Sequence, residues 1–135
     1  MTLSKKKYEL NKNFKHDLIA GAVREERVGE ILQNKPIEVK TEMGKWADTG
    51  NIAIEVSFDG KKSGLAKTES EYWWHTLEID GGEIAHLVFP VEKLKDVITK
   101  MKKNGTVRIV YGGDDNLAKM VLVPLKELFQ KDNVT

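Results

Sequence analysis

Ile37-Glu38-Val39-Lys40-Thr41, followed by Gly50-Asn51-Ile52-Ala53-Ile54-Glu55, decides how the middle of this chain is read. Side chains on a β-strand alternate between its faces. Glu38 and Lys40 therefore share one side, and Ile37 and Val39 take the other. The second stretch puts Ile52, Ile54 and Val56 on one face and Ala53, Glu55 and Ser57 on the opposite one. The alternation predicts strands at 37–42 and 51–58, joined by residues 43–50 and paired as a hairpin. In such a hairpin the carboxylates of Glu38 and Glu55 converge with the amine of Lys40.

Working outward, a helix is expected within residues 17–33, capped by Asp17. Gly21, Glu25, Val28 and Leu32 fall on one helical face, so Glu25 shares the stripe expected to be buried. Asn34-Lys35-Pro36 ends that helix. Asp59-Gly60 is a strong hairpin-turn signal, with a returning strand expected at 61–66. Thr68-Glu69-Ser70-Glu71 matches a capping box and predicts a short helical turn through Tyr72, Trp73 and Trp74. Residues 75–80 and 84–89 read as a hairpin around Gly81-Gly82. Pro90 then opens an amphipathic helix with Leu94, Val97, Ile98 and Met101 on its core face, ended by Asn104-Gly105. Strands at 107–111 and 120–123, with a loop at 112–116 between them, and a short helix at 124–129 complete the chain. The class is α+β, a twisted, mostly antiparallel or mixed sheet flanked by helices.

The 135 residues suit one domain with a substantial core. We expect a flexible basic segment at 1–16 and a single folded domain at 17–135. Hydrophobic residues at 40% and charged residues at 32% describe an ordered globular chain. A net charge of +1 carries no global nucleic-acid signal, but its distribution is uneven. Residues 1–16 hold five Lys against one Glu, and residues 91–105 hold five Lys against one Glu and one Asp. Such patches suit phosphates. The chain contains no Cys, which excludes disulfides and thiolate zinc sites. His16, His75 and His86 form no ligand-spaced pair. A hard, oxygen-ligated ion such as Mg²⁺ is the metal this composition admits. No apolar run approaches the roughly 20 residues of a membrane span, and the N-terminus does not read as a signal peptide. Cytoplasmic location is expected.

Phosphodiester cleavage needs an activated water, a polarised phosphorus and a stabilised leaving oxygen. Two carboxylates holding a divalent ion, beside a lysine, supply these elements. Glu-x-Lys by itself carries little weight, because cross-strand Glu–Lys pairs are common on exposed sheets.

A longer series of motifs adds to it. Ile37-Glu38-Val39-Lys40, then Trp46 and Thr49-Gly50-Asn51-Ile52-Ala53-Ile54-Glu55, then Gly60-Lys61-Lys62-Ser63-Gly64-Leu65, then Thr68, Glu71, Tyr72 and Trp73, resembles the PD-(D/E)XK nuclease superfamily. The resemblance is narrowest to small phage and prophage members, and it extends through Gly112-Gly113-Asp114-Asp115-Asn116 to Leu125. It implies a restriction-endonuclease-like core, related to Holliday-junction resolvases, and cleavage of branched or structured DNA with Mg²⁺ or Mn²⁺. A homodimer is expected for paired nicks, and the host cytoplasm is the expected location if the chain is phage-encoded. Glu38, Lys40 and Glu55 become the implied catalytic residues, with Glu38, Glu55 and Glu25 as metal ligands.

The superfamily also places an Asp on the strand before Glu-x-Lys, and Gln33-Asn34-Lys35-Pro36-Ile37 contains none. Glu38 then takes the first-acid role, with Glu55 second and Lys40 replacing the lysine absent at Ser57. Alternatively Glu38 and Lys40 keep their usual roles, and Glu25 or Glu30 supplies the missing acid. A second class of function is a binding module for DNA or a protein that keeps the fold without cleaving.

Further DNA-contact candidates are Lys62, Ser63, Trp46 and Lys67, with Lys61 and Lys119 behind them. Trp46 is the leading aromatic, since it falls in the loop beside the expected site. Trp73 and Trp74 are adjacent, so one is expected inside and one outward. His75 is a possible general base, though a structural role is the commoner one for a lone His among aromatics. Asp114 and Asp115 lack calcium-loop spacing and read as turn residues.

Overall fold

The computed structural model describes residues 11–135, with side chains at 15, 16 and from 18 onward. The first ten residues of the expected basic segment lie outside the described residues. The chain divides into two units, Met1–Lys35 and Pro36–Thr135.

In the first unit, α1 (Asn11–Asn34) is a single helix. Asp17 lies inside it and is therefore not its cap. Glu25 is exposed, and so are Leu18, Val28 and Leu32 at 58%, 54% and 51%, so the stripe expected to be buried is not.

The second unit holds two sheets. One has the order β1 (Ile37–Glu42), β4 (Tyr72–Ile79), β5 (Gly82–Pro90). The other runs β3 (Lys61–Lys62), β2 (Asn51–Phe58), β7 (Ala118–Pro124), β6 (Arg108–Gly112). The first is mixed, with β1 parallel to β4 and β4 antiparallel to β5. The second is antiparallel throughout. The α+β class therefore holds.

The expected hairpin does not form. β1 and β2 belong to different sheets: Ile37 aligns with Tyr72, while Ile52 aligns with Val123. Alternation specifies a strand's faces but not its partner. The linking residues contain α2 (Lys45–Thr49), closed by Gly50 in the left-handed region. Asp59 and Gly60 take φ of 50° and 76°, the paired positive angles that fit a tight hairpin. The returning strand β3 is only Lys61–Lys62, and a 3₁₀ turn, Gly64–Ala66, follows. Tyr72, Trp73 and Trp74 are strand, not helical turn. Their β-favouring rings pack better on a pleated surface than on one short turn.

The apolar stripe of α3 (Val91–Lys103) buries Val91, Leu94, Val97, Ile98 and Met101. Each contributes roughly 1.5–3 kcal/mol of hydrophobic stabilisation. They join Ile52 and Ile54 of β2, Val121 and Val123 of β7, and Trp73 and Leu77 of β4 in one core. Lys100, Lys102 and Lys103 in the last turn complement the helix dipole. The Thr106 N–H closes that end on the Met101 carbonyl. Short helices α4 (Leu125–Leu128) and α5 (Lys131–Val134) end the chain. No helix among the described residues is long and apolar enough to cross a membrane.

Candidate functional site

In-register neighbours on paired strands point to the same side of a sheet. The pairs Glu38–Trp73, Lys40–His75 and Glu42–Leu77 therefore put the polar face of β1 on the side of the buried Trp73, His75 and Leu77. Val39, which simple patterning would place inside, is 60% exposed. A strand that turns its polar face inward breaks a local rule, and such breaks concentrate at functional sites.

Three side chains follow from this inversion. At the end of β1, Glu42 is held tightly. Its Oε1 accepts the Ala53 N–H at 2.9 Å and lies 2.9 Å from His75 Nε2. Trp73 donates its indole N–H to His75 Nδ1 at 3.1 Å. With Nδ1 accepting, the network assigns the ring proton to Nε2, which donates to Glu42. His75 is 1% exposed and fully engaged, so it belongs to the framework and not to acid–base chemistry.

Nearer the start of the strand, Glu38 Oε2 and Lys40 Nζ lie 3.6 Å apart, with side chains 33% and 45% exposed. The Lys40 ammonium also sits 6.0 Å from the centre of a Trp73 ring. Both side chains line a cleft of about 720 Å³, together with Gly64, Lys67, Thr68 and Ser70. Glu69 adds a second carboxylate to the lining.

Glu55 does not line this cleft; it lies on β2, behind Gly64. Ser63 Oγ donates to Glu55 Oε2 at 2.7 Å. Gly64, which lines the cleft, packs directly on the Glu55 backbone at φ of 50°, and a Cβ there would overlap the Glu55 carbonyl. The local fold thus joins β1 and the Gly64 turn across one opening without a β1–β2 hairpin.

The other sequence candidates are dispersed. Lys67 lines the cleft, and Lys62 is exposed on β3. Trp46 donates its indole N–H to the Glu78 carbonyl at 2.9 Å and packs on the core, so it is a packing residue on α2 and not part of the cleft lining. Glu25 sits on α1, in the other unit. Trp73 is core and Trp74 is half-buried, as adjacent strand residues on opposite faces should be. Asp114 and Asp115 form a 3₁₀ turn. Lys119 is half-buried on β7, aligned with Ser57 and Tyr111. Among the described residues, no three His, Asp or Glu side chains group closely enough to hold a metal ion.

Sequence reasoning missed Glu42, although it is the next residue on the face shared by Glu38 and Lys40. It also missed the cleft wall formed by Thr68 and Ser70, where Thr68 Oγ1 accepts the Ser70 N–H at 3.2 Å. The Thr-x-Ser spacing of such local turns was the available signal.

Fold and site together define a two-sheet α+β unit with a mixed acidic and basic cleft. No protein-family model matches the chain, and no curated protein or solved structure shows significant similarity to it.

Proposed function

We propose that the cleft between β1 and the Gly64 turn binds a DNA phosphate, and that the chain is a divalent-metal-dependent endonuclease acting on branched or structured DNA. One observation carries this reading. The polar face of β1 lies on the side of Trp73 and His75, and Glu38 and Lys40 line a single cleft together with Lys67.

Carboxylate oxygens are the donors that Mg²⁺ or Mn²⁺ takes. Mg²⁺ prefers oxygen ligands and commonly takes one or two carboxylates, completing its shell with water and substrate phosphate. Glu38, in the cleft, is the carboxylate that would hold it, with Glu55, behind Gly64, as the second; when bound, it would polarise the phosphate and activate a water. Glu25, in the separate unit, has no part in this proposal. Lys40 is steered by Glu38 and the Trp73 ring, and its role is to stabilise charge growing on the phosphoryl oxygens. Lys67 holds the backbone. Ser63 orients Glu55 through its 2.7 Å hydrogen bond. Paired nicks in a branched substrate would take two copies of the chain.

A second reading, a DNA-binding module without cleavage, is favoured by a specific arrangement. Glu38 is already paired with Lys40, and Glu55 with Ser63. Labelled four-way junction, flap, linear and single-stranded DNA, incubated with Mg²⁺ or Mn²⁺, separate the two readings. Endonuclease action requires metal-dependent products that disappear in Glu38→Ala and Lys40→Ala. Cleavage retained in both variants sinks the assignment, and wild-type binding without products favours the second reading.

A further inference from the structure

A second groove, of about 310 Å³, lies on the other side of the Gly64–Ala66 turn. Its lining includes Leu65 and Ala66 from the turn and Lys95, Thr99 and Lys102 from α3. The turn is therefore a ridge with a cleft on each side: Gly64 and Lys67 face the first, Leu65 and Ala66 the second.

The spacing on α3 is systematic. Residues three and four apart on a helix are surface neighbours. Lys95, Thr99 and Lys102 thus form one row, which spans about 10 Å at 1.5 Å per residue. Measured along the axis of duplex DNA, that length covers about three phosphates of one strand. The charge is also one-sided. The first cleft includes Glu38 and Glu69 beside its lysines, whereas no acidic residue lines the second. Lys95 meets Glu92 at 3.8 Å, but Glu92 is 87% exposed, and such exposed pairs hold weakly. The Thr99 hydroxyl donates to the Lys95 carbonyl at 2.8 Å, which leaves the two ammonium groups as the groove's donors.

We propose that this groove is a second phosphate-binding site, in which Lys95 and Lys102 hold the sugar–phosphate backbone of the nucleic acid whose reacting phosphate lies beyond the ridge. The proposal rests on the reading of the first cleft as a nucleic-acid site. It adds a backbone track across the ridge, built from α3, with no part in the chemistry.

The test is equilibrium binding of a labelled DNA duplex to the full chain by fluorescence anisotropy, without divalent ion, across a salt series. The variants are Lys95→Gln/Lys102→Gln and, as a charge-matched control from another face of α3, Lys93→Gln/Lys100→Gln. Loss of two phosphate contacts lowers the slope of log affinity against log salt by about 1.8, so the affinity lost between about 50 and about 200 mM salt shrinks roughly tenfold. The control keeps the wild-type slope. An unchanged slope in the first pair, or an equal drop in the control, overturns the groove.

The outcome is separable from the nuclease reading. Cleaving wild-type protein with an unaltered slope in the groove variant removes the groove alone. A lowered slope in a protein that never cleaves keeps the groove and removes the endonuclease. Wild-type protein that binds no DNA removes both.

Discussion

Glu42 Oε1 lies 2.9 Å from His75 Nε2 and accepts the Ala53 N–H at the same distance. His75 belongs to the mixed sheet and Ala53 to the antiparallel one, so a single carboxylate from β1 joins them. The Glu42 side chain is 16% exposed and His75 is almost wholly buried.

Glu42→Ala leaves a buried imidazole N–H and a backbone N–H without their acceptor. Each such orphaned group costs about 1–3 kcal/mol, so a total loss of roughly 2–6 kcal/mol is expected in urea denaturation. Glu42→Gln keeps a carbonyl acceptor and should lose about 1 kcal/mol. Equal stability of Glu42→Ala and wild type would contradict the role of this residue as the joint between sheets.

Gly64 and Gly60 both have positive φ, yet their surroundings differ. A Cβ at Gly60 meets nothing within 4 Å, whereas one at Gly64 meets the Glu55 backbone. Gly60→Ala should cost about 1–2 kcal/mol, the left-handed penalty alone. Gly64→Ala adds a backbone clash and should cost roughly 2–4 kcal/mol. It should also weaken DNA binding, because the displaced turn is the ridge between the two clefts. Equal melting-temperature shifts for the two variants would argue against the close approach.

Trp46→Phe tests whether this residue is framework or substrate contact. It removes the indole N–H that reaches the Glu78 carbonyl and leaves most of the ring packing. Stability should fall by about 0.5–1.5 kcal/mol, with DNA affinity unchanged in the anisotropy assay. A large loss of affinity in a stably folded variant would return Trp46 to the binding surface.

Glu38 and Lys40 form a half-exposed pair at 3.6 Å. Pairs of this kind contribute about 0–1 kcal/mol. Glu38→Ala and Lys40→Ala should therefore melt close to wild type, while metal-dependent cleavage falls by about 100-fold or more. Folding and function are then independently readable at the site, which is not so for Glu42.

Local patterning made several elements of this protein legible. Alternation marked 37–42 and 51–58 as strands, Asp59-Gly60 marked their following turn, and the apolar row from Leu94 to Met101 marked α3 with its buried face. Those features depend on short-range sterics and on which residues repeat at two or at three-to-four positions. The strand nature of Tyr72 to Trp74 was less legible, because a capping-box match and a β-favouring aromatic run competed at the same residues. Glu38 and Lys40 share a face, as the pleat alone requires. What lay opposite that face was decided in three dimensions. β1 took β4 as its partner, turned its acids toward Trp73 and His75, and left Val39 outside. Glu55 met Ser63 and the back of Gly64 instead of Glu38, and Glu42 found His75 33 residues away. Strand partners are chosen by how the whole core packs, and no periodicity within one strand carries that information.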